Sequence, residues 1–172
     1  MKRRNIRLAR NSALICLCLA INAIEALFLK LIPLPIPGAK IGLSNLVILF
    51  CIGNRQYGLS WCLALTRPFV SALLFGNPVG FLFSICGGIL SVFAMQLATP
   101  LLTRNFTFLS IGVLGSITFQ FGQTLAAFVL YGSAILYYTP VLLFFGTISG
   151  ALIGFLQNLL FARLSKTASF HE

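Results

Sequence analysis

Glu25 is the one carboxylate of this chain before its final residue, and it lies in an apolar run, as does Arg67 further on. An ionised group at bilayer depth costs about 2.5–3.5 kcal/mol even on permissive scales, so such groups face protein or water and find partners. Glu25 and Arg67 are therefore expected to pair or to share a polar cavity. Two readings follow: an ion pair that only orients two helices, or groups that also contact a polar ligand. Lys40, Ser44 and Asn45 gather a cation and polar side chains at the start of another apolar run. Gln120 and Gln123, spaced i and i+3, share one helix face. Together with Asn45, Lys40 and the positive end of the helix that Lys40 precedes, they suit an anionic or strongly polar group. The candidate binding residues are thus Glu25, Lys40, Asn45, Arg67, Gln120 and Gln123. Gln96, Gln157 and Asn158 are expected to hydrogen-bond neighbouring helices.

Other chemistries are poorly supplied. Asp is absent and the carboxylates are only Glu25 and Glu172, so clustered acids for hydrolysis or hard cations are missing. The single imidazole, His171, stands beside the C-terminus. Cys16, Cys18, Cys51, Cys62 and Cys86 sit in or at the ends of apolar runs without a CxxC pair, and read as small buried hydrophobes, not as a metal site or disulfide framework. No catalytic residue, metal or cofactor is expected.

The elements that must position these residues are membrane helices. With 59% hydrophobic and 8% charged residues in 172, and a mean hydropathy of +1.01, the chain is too apolar for a soluble domain. The net charge of +10 does not point to nucleic acid, because Lys2, Arg3, Arg4, Arg7 and Arg10 flank the first apolar run and face anionic lipid. Residues 1–11 read as a basic cytoplasmic tail of a single integral membrane domain. Six spans are predicted near 12–32, 38–53, 59–75, 79–99, 108–131 and 139–162, with a cleaved signal peptide as the competing reading of the first. The second is short for a crossing, so the proline-rich stretch before it, residues 33–40, is expected to dip into the protein on the outer side. Arg55, Arg104, Arg163 and Lys166 fall on the side of the basic tail, against Lys30 and Lys40 opposite, which places both termini in the cytoplasm. Gly146, Gly150 and Gly154 form two overlapping GxxxG units for internal packing, while Ala9 and Ala13 offer a small-residue face on the first helix.

The run Pro35-Ile36-Pro37-Gly38-Ala39-Lys40-Ile41-Gly42-Leu43-Ser44-Asn45 resembles the membrane family labelled heptaprenyl diphosphate synthase component I, also called Gx transporter family proteins. Glu25, Arg67 with Ser71-Ala72-Leu73-Leu74-Phe75-Gly76, the run Phe83 to Ser91, and Gly122-Gln123 extend the likeness over nearly the whole chain. One departure stands at Phe119-Gln120, where the resemblance leads one to expect His and Asn. That family in turn looks like the substrate-binding S-components of energy-coupling factor (ECF) transporters. The likeness implies an all-α bundle of six transmembrane helices, an external gating loop at 33–40, docking through Ala9 and Ala13, and a bacterial plasma-membrane location. It also implies uptake of a micronutrient or an isoprenoid- or quinone-related solute, powered by a coupling membrane subunit and an ATPase pair. This chain itself has no glycine-rich phosphate loop for ATP. The alternative takes the label literally: a noncatalytic membrane subunit beside a prenyl diphosphate synthase, because such catalysis needs clustered aspartates for Mg²⁺ and this chain has none.

Overall fold

The structure is a computed structural model that describes residues 2–31, 40, 42–76, 78–101 and 107–168. Among these it is all-helical: α1 (Lys2–Leu31), α2 (Asn45–Gly53), α3 (Tyr57–Phe75), α4 (Pro78–Ala98), α5 (Phe108–Tyr131) and α6 (Thr139–Ala168), with short 3₁₀ turns at Thr99–Leu101 and Gly132–Tyr137. Five of the six, all but α2, are long and apolar enough to cross a membrane. The chain is a multi-pass helical membrane protein. Residues 33–39 of the expected gating loop, together with Arg104 and His171, lie outside the described residues.

No Gly or Pro interrupts Lys2–Leu31, so α1 starts well before its apolar window, Leu8–Phe28, and the basic segment expected as a tail continues the helix. Its sidedness is the reverse of a soluble helix. Cys18, Asn22 and Glu25, at helical spacing, are buried, whereas Leu17, Ile24, Leu27 and Phe28 are exposed. The hydrocarbon-facing surface is apolar and the protein-facing stripe polar, the arrangement a bilayer solvent favours.

The short helix is the centre. α2 has nine residues, about 14 Å of rise, against a hydrocarbon core of about 30 Å. It is apolar around its circumference and buries Asn45, Val47, Ile48, Leu49, Cys51 and Ile52, as a helix enclosed on every side must. It packs against each of the other five helices, which follow one another in the order α1, α3, α4, α5, α6. The expected second span, 38–53, is therefore helical only from Asn45. Gly42 has φ +91°, a left-handed conformation that a side chain resists, and Asn45 N–H and Leu46 N–H turn back onto the carbonyls of Gly42 and Leu43 at 2.9 and 3.1 Å.

Close backbone approach binds the later helices together. A Cβ on Gly122 of α5 would lie 2.7 Å from Gly87 Cα of α4, and one on Gly150 of α6 would lie 2.8 Å from Gly112 O of α5. The stripe Gly146, Gly150 and Gly154 faces α5 throughout, so the GxxxG units serve internal packing as expected. Pro68 sits inside α3 and has no N–H for the carbonyl of Ala64. Gly88 of α4 packs over that oxygen: a Cβ there would come within 3.3 Å of it and 3.4 Å of Arg67 Nη2.

Candidate functional site

Non-helical backbone at membrane depth needs hydrogen-bond partners from elsewhere, since hydrocarbon supplies none. The stretch from Lys40 to Ser44, leading into α2, finds them in side chains of α1, α3 and α5. Lys40 N–H donates to Gln123 Oε1 at 2.9 Å, and Gln123 Nε2 donates back to the Lys40 carbonyl at 2.8 Å. Gln120 Nε2 adds a longer bond to the same carbonyl at 3.3 Å, and its Oε1 accepts from Gln123 Nε2 at 2.9 Å. Gly42 N–H donates to Glu25 Oε1 at 2.6 Å. Arg67 Nη1 donates to Ser44 Oγ at 2.7 Å and to Asn45 Oδ1 at 2.8 Å.

All six candidate residues thus converge on one turn, and all six are buried. Their contacts differ from the expected ones in one respect. Among the described residues Glu25 and Arg67 make no direct pair: Glu25 Oε1 goes to Gly42, the Arg67 Nη1 bonds go to Ser44 and Asn45, and the turn separates them. The physical reason is local supply: the turn places the Gly42 N–H, a buried backbone donor that needs an acceptor, beside the carboxylate, and offers Ser44 Oγ and Asn45 Oδ1 to the guanidinium.

Further groups complete the cluster. Lys40 Nζ donates to Ser71 Oγ at 2.8 Å and to Asn22 Oδ1 at 3.4 Å, and Asn22 Nδ2 reaches the Arg67 carbonyl at 3.3 Å. Asn45 Nδ2 donates to Ser91 Oγ at 3.4 Å, which itself donates to Gly115 O at 2.8 Å. The guanidinium of Arg67 lies over the Phe119 ring, 5.1 Å from its centroid, a favourable cation–π placement. Phe119 is the residue at which the chain departs from the expected His, and it also closes on Gly42, whose Cβ, if present, would lie 3.2 Å from the ring. Asn22, Ser71 and Ser91 were not among the candidate binding residues read from sequence. Helical spacing carried the signal for two of them: Asn22 precedes Glu25 by three residues, and Ser71 follows Arg67 by four.

The bonding is incomplete at two charged atoms. Glu25 Oε2 and Arg67 Nη2 are buried and have no hydrogen-bond partner. Within the cluster two cationic side chains, Lys40 and Arg67, face one carboxylate, Glu25. The site is therefore net positive, with one acceptor and one donor left free.

Amides outside the cluster divide. Gln96 of α4 accepts from Trp61 Nε1 of α3 at 3.1 Å and donates to Ser60 Oγ at 3.0 Å, the interhelical role expected of it. Gln157 departs from that expectation: it is fully buried on α6, and neither of its amide atoms has a partner. Ala9 and Ala13 are exposed on α1.

The fold and the cluster define a class, a polytopic helical membrane protein with a buried cationic turn at its centre. A family model described as heptaprenyl diphosphate synthase component I matches residues 14–160, and the chain belongs to that family. The match spans α1 from Leu14 through most of α6 and includes every residue of the cluster. No curated protein and no solved structure matches the chain.

Proposed function

We propose that the chain binds a small anionic or strongly polar solute at the turn from Lys40 to Asn45 and serves as the solute-binding membrane subunit of an importer. The observation that carries this reading is the unbalanced, partly unsatisfied cluster: two buried cations against one carboxylate, with Arg67 Nη2 and Glu25 Oε2 unpartnered. A group with both acceptor and donor capacity would satisfy both atoms and offset the surplus charge. Membrane carriers use interrupted helices in the same sense, because unwound backbone is tolerated at depth only where it is enclosed or lines a cavity.

In this reading Glu25, Lys40, Asn45, Arg67, Gln120 and Gln123 hold the solute or the turn that meets it, and residues 33–40 form the outer gate. Energy comes from a separate coupling subunit and ATPase pair, as in ECF importers, docking at the exposed Ala9 and Ala13 face of α1. The location is a bacterial plasma membrane with both termini cytoplasmic. The solute class is a micronutrient or an isoprenoid- or quinone-related compound bearing an anionic end.

The family description favours a second reading, in which the chain is a noncatalytic membrane partner of a prenyl diphosphate synthase. Affinity purification of the full chain from its native membrane separates the two. Recovery of an ATPase pair with a second membrane subunit supports uptake; recovery of a soluble synthase without them supports the second reading and counts against the first.

A further inference from the structure

At the end of the bundle opposite the Lys40 cluster, α1 and the turn joining α2 to α3 line an open cleft of about 510 Å³ that includes Asn11, Tyr57 and the exposed Arg10 and Arg55. That volume lies in the ordinary range for small-molecule sites. Arg10 is two residues inside the apolar window of α1, and Tyr57, which opens α3, is 41% exposed. An aromatic residue so placed marks the boundary between hydrocarbon and headgroups.

The charge in this cleft is one-sided. Among the described residues the one side-chain carboxylate, Glu25, stands about 22 Å further along α1 from Arg10 at 1.5 Å per residue. The first turn of α3 contains no acidic residue, and its N-cap, Gln56, makes no side-chain capping bond. Asn11 Oδ1 is buried without a partner beside it.

Arg55 adds an independent observation. It has φ +57° and is the one non-glycine residue with positive φ among those described. It occupies the left-handed position that ends α2, where Arg55 N–H and Gln56 N–H close back onto Ile52 O and Cys51 O at 2.9 and 2.8 Å. Gly or Asn suits that position, and another residue there costs about 1–2 kcal/mol.

We infer that Arg10, Arg55 and the uncapped start of α3 form a binding site for the phosphate or diphosphate headgroup of an anionic membrane amphiphile. The headgroup sits between the two guanidinium groups, each able to fork across phosphate oxygens, and the free N–H groups of α3 meet the remaining oxygens. The acyl or prenyl chains lie along the exposed apolar side of α1. Inorganic diphosphate shares the recognised chemistry, so the test separates the sources.

The test is native mass spectrometry of the full-length protein released from detergent containing phosphatidylglycerol or phosphatidylcholine. Wild type is expected to retain one phosphatidylglycerol in preference to phosphatidylcholine. The variant R10Q/R55N is expected to lose that adduct by roughly tenfold or more. Asn is compatible with the left-handed backbone, so the variant keeps its fold, which the emission of the single Trp, Trp61, reports independently. A control that neutralises Lys2, Arg3, Arg4 and Arg7 is expected to keep the adduct. Equal retention by wild type and R10Q/R55N, equal retention of the two lipids, or equal loss in the control would overturn the inference. Displacement of the lipid by millimolar inorganic diphosphate would uphold the headgroup chemistry and assign the site to a soluble ligand; persistence would assign it to lipid.

Discussion

The side-chain amide of Gln123 grips the backbone of Lys40 by both of its polar groups, Oε1 accepting the N–H at 2.9 Å and Nε2 donating to the carbonyl at 2.8 Å. A glutamine on α5 thereby does for the approach to α2 what a helical turn would otherwise do. The substitution Gln123→Leu leaves the Lys40 N–H unpaired and the carbonyl with only the weaker Gln120 bond, for a loss of about 2–4 kcal/mol. Thermal unfolding in detergent should show Gln123→Leu well below wild type and Gln120→Leu between the two.

Glu25 presents its carboxylate to Gly42 N–H, so its acceptor and its charge are separable. Glu25→Gln keeps an oxygen for Gly42 and removes the charge that offsets Lys40 and Arg67; Glu25→Leu removes both. The expected order of unfolding temperatures is wild type, then Glu25→Gln, then Glu25→Leu, with the last step about 1–3 kcal/mol. Equal stability of Gln and Leu at this position would mean that the Gly42 contact contributes nothing.

Gly42 carries two constraints, a φ of +91° and a neighbouring Phe119 ring. Gly42→Ala should cost more than about 1 kcal/mol, since alanine is strained at positive φ. Combining it with Phe119→Leu relieves the contact and leaves the backbone strain, so the double variant should recover only part of the loss. Full recovery in thermal unfolding would assign the whole effect to the ring.

Gln157 is fully buried with no partner for either amide atom. Replacing it with Leu removes two unsatisfied groups and is expected to stabilise the protein by about 1 kcal/mol, seen as a raised unfolding temperature. Its solute binding should be unchanged, because Gln157 has no hydrogen bond to the Lys40 cluster.

Much of this arrangement can be read from sequence. The six helices follow from hydropathy and the Pro and Gly breaks, and the polar residues of the cluster stand out because they are rare in so apolar a chain. Three features were not legible. Glu25 and Arg67 read as a pair or as neighbours in one polar cavity, and a pattern of side chains does not reveal that the Gly42 N–H would take the carboxylate. The second span read as beginning near 38, because Lys40, Gly42 and Ser44 are individually compatible with a helix; the turn is set by the left-handed Gly42 and by Gln123, eighty-three residues away from Lys40. The basic start of α1 read as a tail because its charges suit solvent, yet charge does not end a helix that has no Gly or Pro to stop it.

The central claim is that the buried cations around the Lys40–Asn45 turn hold a solute. The most direct measurement is mass spectrometry of small molecules retained by the purified full-length chain, compared among wild type, Arg67→Lys and Gln157→Ala. Arg67→Lys keeps a charge near Ser44 but loses the two-pronged guanidinium. The account predicts a polar, anionic compound in stoichiometric amount with wild type and Gln157→Ala and its loss with Arg67→Lys; the same retained compounds, or none, in all three would contradict it.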